Sequence, residues 1–287
     1  MIQFATKEYL GQLKELWAKT FGDTRQAIDL YFQEGCRLSD VLADVEGGRL
    51  CAMASLLPLR LDWGGKTLEG RYVYAVATDE TERGKGRSTR LLERAHAVMQ
   101  EQGVAASVLV PASESLFSFY ERRGYRRAFR LCRRSVSAAE LIKNTAPPHE
   151  LSSCGVERYY QLRNFAFSGC APFAAWGEPQ LRFAMQLARL YGAQIFHIRT
   201  DAGEAAAYCI RRQGTVAVKE IAAQGLDDAC VLSVLHAHLG AQRYEVCAPA
   251  RGGDGTAFDF AMLHPLSPDA LPAPVPGAPG YFNLAMD

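Results

Sequence analysis

The stretch Tyr72–Ser88 reads YVYAVATDETERGKGRS. Through Thr78 it has the composition of a strand. A short acidic loop follows, and Arg83-Gly84-Lys85-Gly86-Arg87-Ser88 then leads straight into a helical pattern. A strand, a Gly-rich turn and a helix in that order build an anion site from backbone alone. Glycine lets the main chain approach a phosphate, and the first-turn N–H groups have no intrahelical partner. The helix dipole adds partial positive charge at the same point. The stretch therefore predicts a site for a phosphate-bearing cofactor.

Two common phosphate loops do not fit. Gly65-Lys66-Thr67 resembles the end of a Walker A loop, but that loop needs a glycine five residues earlier, where this chain has Arg60. The following LEGRYVYAVA reads as a strand, not a helix. A dinucleotide fingerprint starting at Gly84 would need a third glycine where Thr89 stands.

Working outward, the first part alternates helix and strand. Thr6 is positioned to cap a helix through Lys19, and a second amphipathic piece spans Gln26–Gln33. Val41–Val45, a Gly47-Gly48 turn and Leu50–Leu61 read as a hairpin, followed by a strand at Arg71–Ala77. Gly86–Gln102 is a helix, Val104–Val110 a buried strand, Glu114–Arg123 a helix closed by Gly124, and Tyr125–Val136 a strand. Past a linker at 139–150, a second series repeats a similar order. It has helices at Val156–Phe167, Pro179–Tyr191 and Leu226–Leu239, with five strands between Gln194 and Leu263. A diverged internal duplication follows from that order. A Pro-rich tail ends in GYFNLAMD, apolar enough to dock.

The motif at Arg83–Ser88 resembles the Arg/Gln-x-x-Gly-x-Gly/Ala signature of the GCN5-related N-acetyltransferase (GNAT) superfamily. Arg83 and Gly86 match, and Ser88 replaces the usual Gly or Ala. One helix and one strand later, Phe119-Tyr120-Glu121-Arg122-Arg123-Gly124-Tyr125 is similar to the family's Phe/Leu-Tyr-x-x-x-Gly-Phe/Tyr segment. The resemblance implies acetyl-CoA as cofactor, its pyrophosphate on the loop amides and its pantetheine arm along the preceding strand. The implied cofactor contacts are Val76, Ala77, Thr78, Arg83, Gly84, Lys85, Gly86, Arg87, Ser88 and Thr89. It also implies Tyr120 as the acid that protonates the departing thiolate. The two-domain layout resembles a shortened enhanced-intracellular-survival-type acetyltransferase, in which the C-terminal carboxylate reaches the active site. Asp287, through its terminal carboxylate, is on that basis a candidate base, and Glu220, lying on a second-domain strand, is another.

The expected fold is α/β (α+β): a GNAT domain at 1–138 with a central mixed, mostly antiparallel sheet flanked by helices. A linker at 139–150, a degenerate GNAT-like domain at 151–266 and a Pro-rich tail at 267–287 complete the chain. The second half has one glycine and Asp227-Asp228 where a phosphate loop would stand, so it is expected to bind no CoA. The expected reaction is acetyl transfer to the amine of a small molecule or peptide. The alternative is a non-catalytic acyl-CoA-binding sensor.

Composition bounds the partners. In 287 residues the formal net charge is +1, which argues against a broad nucleic-acid surface, although Arg122–Arg134 holds seven arginines. The eight cysteines include no CxxC pair and no metal-ligand spacing, so no metal is expected. His236 and His238 do not share a helix face, and His96 is expected on the exposed side of its helix. No signal core or membrane-spanning run is read, and the cytoplasm is the expected compartment.

Overall fold

The computed structural model describes residues 1–143, 146–250, 255–267 and 269–283. Strand β1 (Ile2–Phe4) precedes α1 (Leu10–Phe21), α2 (Arg25–Leu30), β2 (Val41–Glu46), β3 (Arg49–Trp63) and β4 (Lys66–Thr78). Helix α3 (Arg87–Glu101), β5 (Ala106–Leu109), α4 (Glu114–Glu121) and β6 (Arg126–Ser137) come next. A turn of helix, α5 (Ala138–Leu141), leads to β7 (Glu150–Ser153), α6 (Val156–Ala166), β8 (Phe173–Ala175) and α7 (Glu178–Leu190). The remainder is β9 (Ala193–Thr200), β10 (Gly203–Arg212), β11 (Thr215–Gln224), α8 (Asp228–Leu239), β12 (Arg243–Pro249) and β13 (Thr256–Pro265).

Local chemistry sets several of these boundaries. Thr24 Oγ1 accepts from the Ala27 N–H at 3.2 Å and starts α2. Ser137 and Glu140 form a capping box at α5. Thr6 precedes a short 3-10 turn, Lys7–Tyr9, rather than α1 itself, and its side chain makes no cap bond there.

The chain divides into two compact units. The first holds Met1–Leu61, Thr67–Arg126 and Ala261–Ala273, and its strand order is β1-β2-β3-β4-β5-β13. In it, β1 and β2 are antiparallel, as are β2 and β3, while β4 and β5 are parallel and β13 runs antiparallel to β5. The second is built mainly from Arg127–Phe260, with the tail from Pro274 onward, and its order is β7-β9-β10-β11-β12-β6. Here β7–β9, β9–β10 and β10–β11 are antiparallel, β11–β12 parallel and β12–β6 antiparallel.

The two orders match strand for strand, and the single parallel pair falls at the same place in each. Two helices follow the first strand, and one helix joins the parallel pair: α3 in the first unit, α8 in the second. This repeat of element order is the one read from the sequence. In each unit the last strand is supplied by the other half of the chain. Helix α4 follows β5 in the first unit, whereas six residues, 250–255, lie between β12 and β13.

Each unit has its own core. In the first, Leu91, Leu92, Ala95, Val98 and Met99 of α3 pack against Leu56, Val73, Leu109, Phe117 and Tyr120. In the second, Val231, Leu232, Val234 and Leu235 of α8 pack on Ile198, Ala207, Val218 and Val246. A fully buried aliphatic side chain contributes about 1.5–3 kcal/mol, so these helix faces fix the strands beneath them. No helix among the described residues is long and apolar enough to cross a membrane.

Candidate active site

The site of the first unit is built around β4. The β4–β5 ladder runs from Gly70↔Ala106 to Tyr72↔Val108, and β4 then continues to Thr78. Beyond Tyr72 the strand carries Ala75 at φ 52, the one non-glycine residue with positive φ among those described. A left-handed alanine costs roughly 1–2 kcal/mol and re-aims the backbone that follows it. Val76, Ala77 and Thr78 come directly after this kink. Sequence reasoning missed Ala75, because alanine gives no local signal for a left-handed conformation.

The loop after β4 ends at Gly86, the N-cap of α3, with φ 74 and no side-chain cap bond. A Cβ at Gly84 would meet nothing within 4 Å, so the chain there is open to a close ligand. The first-turn N–H groups of α3 thus remain available to an anion. These residues fit the pyrophosphate of acetyl-CoA by that chemistry.

Not every side chain of the motif faces a ligand. Arg87 is buried, and its guanidinium donates to Asp44 at 2.9 Å, to Glu82 at 2.6 Å and to Glu46. These bonds, to Asp44 first, raise its pKa further. Only the Arg87 backbone is left to the loop. Lys85 Nζ lies 3.1 Å from Glu82, whose carboxyl Arg87 and then Lys85 hold down to about 2. Thr89 Oγ1 accepts from Arg123 at 2.5 Å, and Arg123 also donates to the Phe119 carbonyl and lies 3.5 Å over the Phe119 ring. Arg123 therefore ties the first turn of α3 to α4.

Helix α4 carries Tyr120, which is 7% exposed, and its hydroxyl has no hydrogen-bond partner among the described residues. Burial pushes the phenol up to about 12, with Arg123 opposing, so it keeps its proton at neutral pH. Tyr125 packs edge-on to Tyr120 at 5.6 Å. Its own hydroxyl lies 2.5 Å from Ser107 Oγ and 3.0 Å from His96 Nε2.

His96 corrects the sequence reading. It points inward, stacks on His264 at 4.4 Å, and burial first and His264 second lower its pKa to about 4. Its partner comes from β13, which no local pattern in the first half announces. On the other side, Trp17, Tyr31, Phe32 and Tyr74 form one aromatic cluster, with Trp17 and Tyr31 at 4.4 Å.

The second unit differs at the corresponding positions. Its β11–β12 ladder also stops early, at Val218↔Val246, and Glu220 stands just beyond. Glu220 is fully buried. It accepts from Arg163 Nε at 2.7 Å, Tyr159 at 2.6 Å and Tyr281 at 2.8 Å. With its oxygens so engaged it anchors the tail. At the start of α8, the Asp227 carboxylate accepts from the Cys230 N–H at 2.8 Å and closes the N-terminus that Gly86 leaves open on α3. The end of the tail, with Asp287, lies outside the described residues. All eight cysteines are free.

Residues 1–128 match the family described as the acetyltransferase (GNAT) domain. The structure is similar to a conserved protein of Enterococcus faecalis described as a probable N-acyltransferase, at 14% identity over 93% of this chain and 72% of that one, with a TM-score of 0.76. It is similar to a GCN5-related N-acetyltransferase of Kribbella flavida at 19% identity, over 94% and 73% of the two chains, with a TM-score of 0.73. Eis1 of Mycobacterium abscessus gives 14% identity, 94% and 75% coverage and a TM-score of 0.69. Among curated proteins, none matches the chain in sequence. The family match covers residues 1–128, and the likeness to the solved structures, at 14–19% identity, is one of fold.

Proposed function

We propose that this chain transfers acetyl from acetyl-CoA to an amine by direct attack. The carrying observation is that the first unit joins the glycine-capped start of α3 to α4, whose Tyr120 keeps a free, protonated hydroxyl. The loop 83–89 holds the pyrophosphate through backbone N–H groups, with Arg83 adding charge at the rim. The pantetheine arm lies along Val76–Thr78, where β4 has left its ladder with β5.

A neutral amine attacks the acetyl carbonyl and the C–N bond forms. A backbone N–H after Ala75, at Val76, stabilises the oxyanion. The C–S bond then breaks, and Tyr120 gives its proton to the leaving thiolate. The proton lost by the amine goes to a general base. The acceptor side is the aromatic cluster around Tyr74, which suits small-molecule or peptide amines with an apolar body.

The test is thiol release from acetyl-CoA against a panel of polyamines, arylalkylamines, amino acids and peptides. Turnover of at least one amine supports the reading. Tight acetyl-CoA binding with no turnover of any would favour a sensor instead.

A further inference from the structure

A cavity of about 560 Å³ opens in the second unit, where β7, the start of β9, the second half of α7 and the end of α8 meet. The proposed acetyl transfer makes no use of it. Its volume lies in the range that encloses a small organic ligand.

The lining has two characters. Leu151, Met185, Ala188, Ile195 and Phe196 give it an apolar floor. Arg189 and His238 stand on the exposed rim, and no lining residue is a carboxylate. Among the described residues the Arg189 guanidinium has no partner, and the His238 ring meets only the edge of Phe196, at 5.6 Å. The carbonyls at the end of α7 are already engaged. Those of Leu187, Ala188 and Arg189 already accept from the Tyr191 and Gly192 N–H groups.

We propose that this cavity binds a carboxylate on an apolar chain, the chain on the floor and the carboxylate at Arg189 and His238. A guanidinium matches a carboxylate in two-pronged geometry, and apolar burial supplies the remaining affinity.

Calorimetric titration of the full chain with hexanoate, octanoate and decanoate tests this. Saturable binding is expected, tightening about fourfold per methylene that enters the floor. Arg189→Gln, an exposed position that leaves the fold intact, should weaken octanoate about tenfold while octanol binding and thiol release with an amine stay unchanged. Absence of saturable binding would overturn the assignment. So would octylammonium binding as tightly as octanoate, or Arg189→Gln behaving as the wild type.

Discussion

Arg163 Nε and Glu220 Oε1 lie 2.7 Å apart, with side chains only 1% and 0% exposed. Tyr159 and Tyr281 donate to the same carboxylate, and Trp176 Nε1 holds the Asn283 carbonyl at 2.9 Å. The pair is therefore the clasp that seats the tail in the second unit. Glu220→Ala leaves Arg163 buried without its counter-ion and should cost about 3–5 kcal/mol, read by urea unfolding. A variant that keeps its stability but loses kcat would point to Glu220 as a base instead.

His96 sets an acid limit on stability. Burial keeps it neutral in the folded chain down to about pH 4. The unfolded chain takes up that proton near pH 6.5. Between those values the unfolded state binds more protons, so stability is complete above about 6.5 and falls as pH falls toward 4. At pH 5 the loss is about 2 kcal/mol relative to pH 7.5. Urea unfolding of the wild type should show this extra loss over His96→Phe, and equal losses in both would refute it.

Arg87 is expected to matter through folding rather than through phosphate contact. Arg87→Ala removes the cation between Asp44, Glu46 and Glu82, so the urea midpoint should fall at pH 7. Glu82 is held down to about 2, so its share of the penalty is present above pH 4.5 and fades as pH falls toward 2. A stable variant with only a raised KM for acetyl-CoA would return Arg87 to the cofactor.

Tyr120→Phe removes the proposed acid without emptying its place in the core. The expected fall in kcat is about 10²–10⁴, with the KM for acetyl-CoA little changed. Unchanged turnover in a steady-state thiol-release assay would exclude Tyr120 from the chemistry.

The proposed donor loop and Tyr120 could be read from the chain because each rests on neighbours in sequence: strand, glycines and helix start, or an aromatic four residues ahead of a helix-ending glycine. The environment of Arg87 could not, since Asp44 lies 43 residues away and packing alone selects it. His96 meets His264 of β13, and Glu220 meets Tyr281 of the tail, across still longer separations. The exchange of last strands between the two copies has no local signal either, because nothing in β6 or β13 taken alone names the strand it pairs with.

The sharpest contrast between the copies is at one helix start. Gly86 leaves α3 open, whereas the Asp227 carboxylate closes α8. Gly86→Asp would place an acid at the open end; aspartate tolerates the left-handed backbone, and Arg90 stands near enough to receive it. Calorimetric titration with acetyl-CoA should give one molecule bound per wild-type chain and at least tenfold weaker binding to Gly86→Asp with the fold retained. Two molecules per chain, or undiminished affinity in the variant, would contradict a single donor site at the start of α3.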